Sequence, residues 1–261
     1  MNDKIISETN FTRIGQDEFE KINFVVTGEC FRLQNEFGRL FNEKIYRDEL
    51  VTRLASLFSK VQVEVPITAC FEDFRKPYYA DLVVNDSAIY ELKVVDSISA
   101  SHRSQTLNYL YLTELAHGKI VNFGGQRVEG EYVSTTLNHQ SRRSFEINAD
   151  LIDVSDGRSI WFWKLLKCLL KHFGSFLTPS LFYDAIEYFA DWGIIGEVYV
   201  KNMTQLAHLL TPQIAFKLTS YPETLTSAKS QLQKFLDNTS LSKLHWVNIY
   251  RHQITASTLR S

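Results

Sequence analysis

Three charged side chains, Asp81, Glu91 and Lys93, fall inside YYADLVVNDSAIYELKVV (Tyr78–Val95), a segment otherwise rich in Val, Leu, Ile and Tyr. Strands of this composition bury their faces, and a buried charge is expensive unless it is paired or bound to a metal. With Asn85–Ser87 as a three-residue turn, antiparallel pairing about Asp86 sets Asp81 directly opposite Glu91. Alternation then puts Asp81, Val83, Ile89, Glu91 and Lys93 on one face. Ala80, Leu82, Val84, Ala88, Tyr90 and Leu92 take the other, which is apolar throughout. Two facing carboxylates repel each other in the absence of a cation. A hard divalent ion removes that penalty, and Mg²⁺ characteristically takes one or two carboxylates together with water and phosphate oxygens. Lys93, on the same face, would then orient or activate the attacking water, or stabilise charge building on a phosphate. A plain cross-strand ion pair on a solvated sheet face satisfies the same spacing. Spacing alone leaves both readings open.

The flanking pattern supplies elements to hold this hairpin. Phe37, Leu40, Phe41, Ile45, Leu50, Leu54 and Leu57 recur near a helical period, with Gly38 marking a break between two helices. VQVEVPITACF alternates Val61, Val63 and Val65 and reads as a strand. After the hairpin, ISASHRSQTLNYLYLTEL returns to helical spacing and GKIVNF closes the region as a short strand. Residues 138–157 are polar and weakly periodic, as a linker would be. Beyond them SIWFWKLLKCLLKHFGSFL reads as an amphipathic helix. Trp161, Leu165, Leu166, Leu169 and Phe173 lie on one side, and Lys164, Lys167 and Lys171 on the other.

Composition narrows the function classes. At 261 residues, 44% apolar and 22% charged, the chain is globular and long enough for one large domain or two small ones. A net charge of −2 gives no global sign of nucleic-acid binding, so such binding must come from local features. The three cysteines, Cys30, Cys70 and Cys168, form no C-x-x-C pair and point to a reduced, cytoplasmic setting. There is no signal-peptide core and no apolar run of the ~18 residues that would span a bilayer, so no membrane role is expected. No phosphate-binding G-x-x-x-x-G-K-[ST] loop is present. The arginines of HQSRRSF, Arg142 and Arg143, form with Arg103 and Arg127 a modest basic set that reads either as a solvated loop or as a phosphate contact.

An Asp…Glu-x-Lys hairpin followed by a helix carrying Gln105 and Tyr109 resembles the PD-(D/E)XK nuclease superfamily. Residues of about 22–137 resemble, more narrowly, the bacterial proteins named for a GxxExxY motif, through NEFGRLFNEKIYRDEL, YADLVV, IYELK, SQTLNYL and VNFG in order. The resemblance implies an α/β fold: a restriction-endonuclease-like core with a central mixed sheet flanked by helices. It also implies Asp81 and Glu91 as metal ligands and Lys93 as the catalytic lysine. Glu43 matches the motif glutamate and would add a third carboxylate to the metal. Tyr46 matches the motif tyrosine or is simply core. Gln105 and Tyr109, at i and i+4 on one helix face, would support the lysine or contact substrate. The implied cofactor is Mg²⁺ or Mn²⁺, and the implied partner is nucleic acid, with DNA ahead of RNA by family analogy alone. Leu40 stands where the motif has its glycine, and Ala80 where a proline often precedes the first acid.

The second half repeats the first faintly. AFKLTSYPETLTSAKSQLQKFLDNTSLSKLHWVNIY aligns on YELKVVDSISASHRSQTLNYLYLTELAHGKIVNFGG, with Lys217 near Lys93, Gln231 on Gln105, Phe235 on Tyr109 and Asn248 on Asn122. Ala215 then replaces Glu91, Gln205 replaces Asp81 and Pro179 replaces Glu43, so this copy is degenerate as a metal site. The expected organisation is a nuclease-like domain over 1–140, a linker over 141–157 and a C-terminal α/β domain over 158–261. The expected activity is Mg-dependent phosphodiester hydrolysis. Its alternative is a catalytically inactive nuclease-fold module for nucleic-acid or protein binding, with the C-terminal half completing a pseudo-dimer or engaging a protein partner.

Overall fold

The computed structural model describes residues 5–200, 203–222 and 225–261. The chain divides into two compact units, Met1–His139 and Gln140–Ser261.

The first unit runs β1 (Ile5–Ile6), α1 (Gln16–Phe37), α2 (Glu43–Leu54), β2 (Val61–Phe71), β3 (Phe74–Val84), β4 (Ala88–Lys93), α3 (Ala100–Thr113), β5 (His117–Asn122) and β6 (Glu129–Ser134). The strands form one sheet in the order β1-β2-β3-β4-β5-β6. It is mixed: β4 and β5 are parallel, and the other neighbours are antiparallel. The parallel step follows from α3, which carries the chain across between β4 and β5. On one face Leu82, Val84, Tyr90, Leu92, Val121 and Phe123 meet Phe19, Val26 and Leu33 of α1 and Tyr46, Leu50 and Leu54 of α2. Gly38 ends α1 at φ +72° and ψ −152°, a conformation open essentially to glycine alone. It marks the break expected there. Its carbonyl accepts from the Tyr46 hydroxyl at 2.6 Å, and the Tyr46 ring stacks on Phe123 with 4.5 Å between centroids. Tyr46 is therefore core, and it fixes the angle at which α2 leaves α1.

Beyond the short α4 (His139–Arg142), the second unit runs β7 (Glu146–Leu151), α5 (Gly157–Phe173), α6 (Pro179–Phe189), β8 (Ile195–Val200), β9 (Met203–Thr211), β10 (Ile214–Thr219), α7 (Leu225–Asp237), β11 (Lys243–Tyr250) and β12 (Gln253–Arg260). The sheet order is β7-β12-β11-β10-β9-β8. From α5 onward this is the first unit again: two helices, three antiparallel strands, a helix, a parallel strand (β10 with β11) and an antiparallel return. The leading strand differs. β1 lies antiparallel to β2 at one edge, whereas β7 lies parallel to β12 at the other.

Three sequence expectations are corrected here. Residues 141–157, expected as a linker, contain β7, which pairs with β12. It is an edge strand, paired along one side only, and alternates Ile147, Ala149 and Leu151 with polar residues. Arg142 and Arg143 are neither solvated nor free for phosphates. They donate to the Phe173 and His172 carbonyls, covering the C-terminal end of α5 where unpaired carbonyls gather. The buried stripe of α5 is also rotated slightly from the expected one, to Phe162, Trp163, Leu166, Leu169, Leu170 and Phe173. Among the described residues no helix is long and apolar enough to cross a membrane.

Candidate active site

The β3–β4 hairpin turns through Asn85–Ser87, with Val84↔Ala88, Val83↔Ile89 and Leu82↔Tyr90 as partners. Asn85 and Asp86 both have positive φ, a conformation that Asn and Asp tolerate better than most side chains. Continued by one pair, this register sets Asp81 against Glu91. There the strands open, and the Asp81 carboxylate accepts the Leu92 N–H at 2.8 Å in place of a ladder bond. Asp81 is thereby held by the backbone of the strand that carries Glu91 and Lys93.

Lys93 Nζ lies 2.6 Å from Glu91 Oε1, 3.7 Å from Asp81 Oδ2 and 3.8 Å from Glu43 Oε2. One ammonium thus sits among three carboxylates drawn from α2, β3 and β4. Glu43 is the first residue of α2, behind the Asn42 cap whose side chain accepts the Ile45 N–H. A carboxylate at that end is favoured by the helix dipole. The Glu91 side chain is 0% exposed, against 16% for Asp81 and 39% for Glu43. The remaining Glu91 oxygen, Oε2, is buried without a hydrogen-bond partner.

The electrostatics follow from this crowding. Burial first, then the Asp81 charge, pushes the Glu91 carboxyl up to about 8, with Lys93 acting the other way. Burial likewise raises Glu43, against the pull of Lys93. For Lys93 burial works toward the neutral amine, but Glu91, Asp81 and Glu43 together outweigh it and keep the group charged. On α3, Gln105 Nε2 donates to the Tyr109 hydroxyl at 2.8 Å. Burial, with Glu91 next in weight and Asp81 further behind, drives the Tyr109 phenol upward, so Tyr109 belongs to the same electrostatic neighbourhood. Of the six residues singled out from the sequence, Glu43, Asp81, Glu91 and Lys93 meet at one point, Tyr109 lies within reach of their charges, and Gln105 is joined to them only through Tyr109.

One positioning residue went unremarked in the sequence beyond its place in the repeat. Asn122, fully buried and paired with Lys93 across the parallel strands, accepts from Val95 N–H and Gly124 N–H and donates to the Val95 carbonyl. It clamps the backbone two residues past Lys93. Gly124 is packed so closely there that a Cβ would come within 2.4 Å of the Val95 carbonyl oxygen. In the second unit Asn248 makes the same clamp on Tyr221, accepting its N–H and donating to its carbonyl.

These two clamps correct the register of the repeat. Asn122 pairs with Lys93, and Asn248 pairs with Thr219. Thr219, and not Lys217, thus occupies the Lys93 position, and Lys217 falls where Glu91 stands. Thr219 is spent on structure: its hydroxyl donates to Asn248 and accepts from the Trp246 indole. Lys217 is exposed, and the buried Ala215 lies two residues before the Glu91 position. Pro179 opens α6 as Glu43 opens α2. The second unit keeps the frame and carries a cation where the first has its most buried acid.

Among the described residues no three His, Cys, Asp or Glu side chains are grouped as a ready metal cage. In the first unit the Lys93 ammonium takes the place between the acids. The donor set nevertheless suits a hard divalent ion: three carboxylates, one with a buried oxygen that nothing satisfies and a pKa raised by burial and by the neighbouring Asp81 charge.

Residues 20–133 match the family described as the PD-(D/E)XK nuclease superfamily. No curated protein matches the chain. A solved structure titled "Crystal structure of SSO0001" is similar over 52% of this chain and 72% of that one, at 19% identity and a TM-score of 0.27.

Proposed function

We propose, from the match of residues 20–133 to the PD-(D/E)XK nuclease superfamily, that the first unit is a metal-dependent nuclease acting on DNA. The observation that carries the proposal is the meeting of Glu43, Asp81 and Glu91 around Lys93, with a Glu91 oxygen left unsatisfied at full burial. Asp81 and Glu91, joined by Glu43, are the residues to hold Mg²⁺ or Mn²⁺. When bound, such an ion supplies Lewis acidity and lowers the pKa of a water in its shell. Lys93, now paired with Glu91, would orient the attacking water or steady charge on the phosphate. Tyr109, held by Gln105, offers a hydroxyl donor to the same region. Asn122 fixes the chain beyond Lys93, so that the ammonium stays in reach.

The second unit, on this reading, binds without cutting. It has Lys217 and Thr219 at the Glu91 and Lys93 positions, and a phosphate is a better partner for that lysine than a metal. Incubation of the whole chain with plasmid DNA and Mg²⁺ or Mn²⁺ tests the proposal. Cleavage that is abolished by Asp81→Ala, Glu91→Ala and Lys93→Ala, with each variant still folded, is the expected result. Wild-type cleavage in all three variants overturns it.

One observation favours a second reading. Lys93 already neutralises the acids in the manner of a structural ion pair, 2.6 Å from Glu91. An inactive nuclease-fold module that binds nucleic acid or protein keeps such a pair permanently. Calorimetric titration with Mn²⁺ separates the two, since only the nuclease takes up the ion with loss of binding in Glu91→Ala.

A further inference from the structure

The face of the first sheet opposite Glu91 holds a second polar centre. Glu91 pairs with Ile120, whereas Lys119 pairs with Tyr90, so Lys119 projects to the α1 side. There a cleft of about 1130 Å³ runs between α1 and the β5–β6 edge, and Lys119, Asn23, Thr27 and Tyr132 are among its lining residues. Lys119 is only 5% exposed. Its ammonium donates to Thr27 Oγ1 at 2.8 Å and lies 4.8 Å from the centre of the Tyr132 ring. The Asn23 amide donates to the Tyr132 hydroxyl and keeps that ring in place. Gly130 makes room for the lysine: a Cβ there would come within 2.5 Å of Lys119 Cε.

What the lysine lacks is an acid. Among the described residues it forms no ion pair. Glu29, the buried carboxylate on the cleft, is paired with Arg32, and Glu20 accepts from Gln16. A buried ammonium with one neutral acceptor is a costly group, and it is stabilised by an anion in reach. Burial accordingly pulls its pKa down. Tyr90, its cross-strand neighbour, is fully buried with a hydroxyl that has no hydrogen-bond partner. Around the Lys119 ammonium the walls of the cleft are apolar and aromatic, with Phe19 packed on Tyr132 and Phe24 and Phe31 exposed along α1.

We propose that this cleft is a binding site for a small anionic ligand with a flat apolar body, its carboxylate or phosphate head on Lys119 and its body against Tyr132 and the phenylalanines of α1. The site is independent of the carboxylate cluster and stands whether or not the protein cuts DNA.

Titration of the full chain with the anionic fluorophore anilinonaphthalene sulfonate tests it, beside the neutral N-phenylnaphthylamine. The expected result is saturable binding of one anionic probe per chain. Lys119→Met, which keeps the stem and removes the charge, weakens that binding about tenfold or more, as loss of a charged hydrogen bond should, and leaves the neutral probe unaffected. Glu91→Gln serves as the control and leaves both probes unchanged. Displacement by 2-naphthoate or by adenosine monophosphate tells a carboxylate ligand from a phosphate one, and displacement by neither overturns the assignment. Equal anionic-probe binding in wild type and Lys119→Met also overturns it. A thermal melt of Lys119→Met accompanies the titration. Should that variant be unfolded, Lys119→Gln, which also removes the charge but keeps a polar head that can donate to Thr27, takes its place, with the same weakening expected and unchanged binding overturning the site.

Discussion

Glu91→Gln isolates the charge that the first unit tolerates least. The substitution keeps the shape of the side chain and abolishes its ionisation. In the native chain the carboxyl is pushed from an ordinary 4.5 up to about 8, by burial and then by Asp81. Between those two values the folded protein holds a proton that the unfolded chain has released. Stability supplied by the protonated form is complete below 4.5 and drains away as pH rises toward 8. Each pH unit of that window removes about 1.4 kcal/mol, so the whole window is worth at most about 5 kcal/mol. The variant has no such slope. Its stability relative to wild type should therefore climb with pH, by several kcal/mol between pH 5 and pH 8 in the presence of a chelator. Urea denaturation measures this, and the sequence offers a convenient division of signals. All four tryptophans, Trp161, Trp163, Trp192 and Trp246, belong to the second unit. Tryptophan fluorescence follows that unit, and far-UV circular dichroism reports the first as the remainder. A difference between variant and wild type that stays flat from pH 5 to pH 8 refutes the reasoning. So does a variant that loses stability as pH rises.

Three further outcomes follow from other parts of the structure. His245 is fully buried between Ser159 and Thr258, and burial lowers its pKa from 6.5 to about 4. The unfolded chain takes up that proton first as pH falls, so the second unit should lose about 3 kcal/mol between pH 6.5 and pH 4; a tryptophan-fluorescence midpoint that does not move contradicts this. Asn122→Ala removes three partly buried hydrogen bonds and should cost about 3 kcal/mol while also stopping cleavage in the fraction still folded. Asn248→Ala should cost similar stability and spare cleavage, so equal activity loss in the two would argue against Asn122 as the residue that positions Lys93. Tyr109→Phe should slow cleavage on the order of tenfold, the value of one hydrogen bond at the reacting group. Its Mn²⁺ affinity should stay the same; a matching drop in affinity would assign Tyr109 to the metal instead.

Local rules made the hairpin legible. A three-residue turn of Asn, Asp and Ser and a strict period of two fix which residues share a face, and the observed register from Leu82↔Tyr90 to Val84↔Ala88 is the one those rules give. Gly38 could be read as a helix break because no other residue adopts its backbone angles cheaply. Edge strands were harder to see. β6 and β7 are six residues each, β6 mostly polar and β7 a brief alternation of Ile147, Ala149 and Leu151 with polar residues inside a polar stretch, and their partners are distant in sequence. Neither was read as a strand. The repeat was visible through Gln231 and Asn248, but its register at β10 was not. Lys217 attracts the eye as the counterpart of Lys93, and only the Asn clamps, which depend on folded backbone geometry, show that Thr219 stands there. The Lys119 cleft left no signal in the sequence, since its lysine looks like any other in a strand until α1 is packed over it.

The account turns on whether the three carboxylates around Lys93 give way to a metal. A crystal of the whole chain soaked in Mn²⁺, with anomalous data collected at the manganese edge, tests that most directly. The account predicts an anomalous peak bound by Asp81 and Glu91, with Lys93 Nζ moved off its 2.6 Å contact with Glu91. Saturating Mn²⁺ with no peak at these residues, and Lys93 still seated on Glu91, would contradict it.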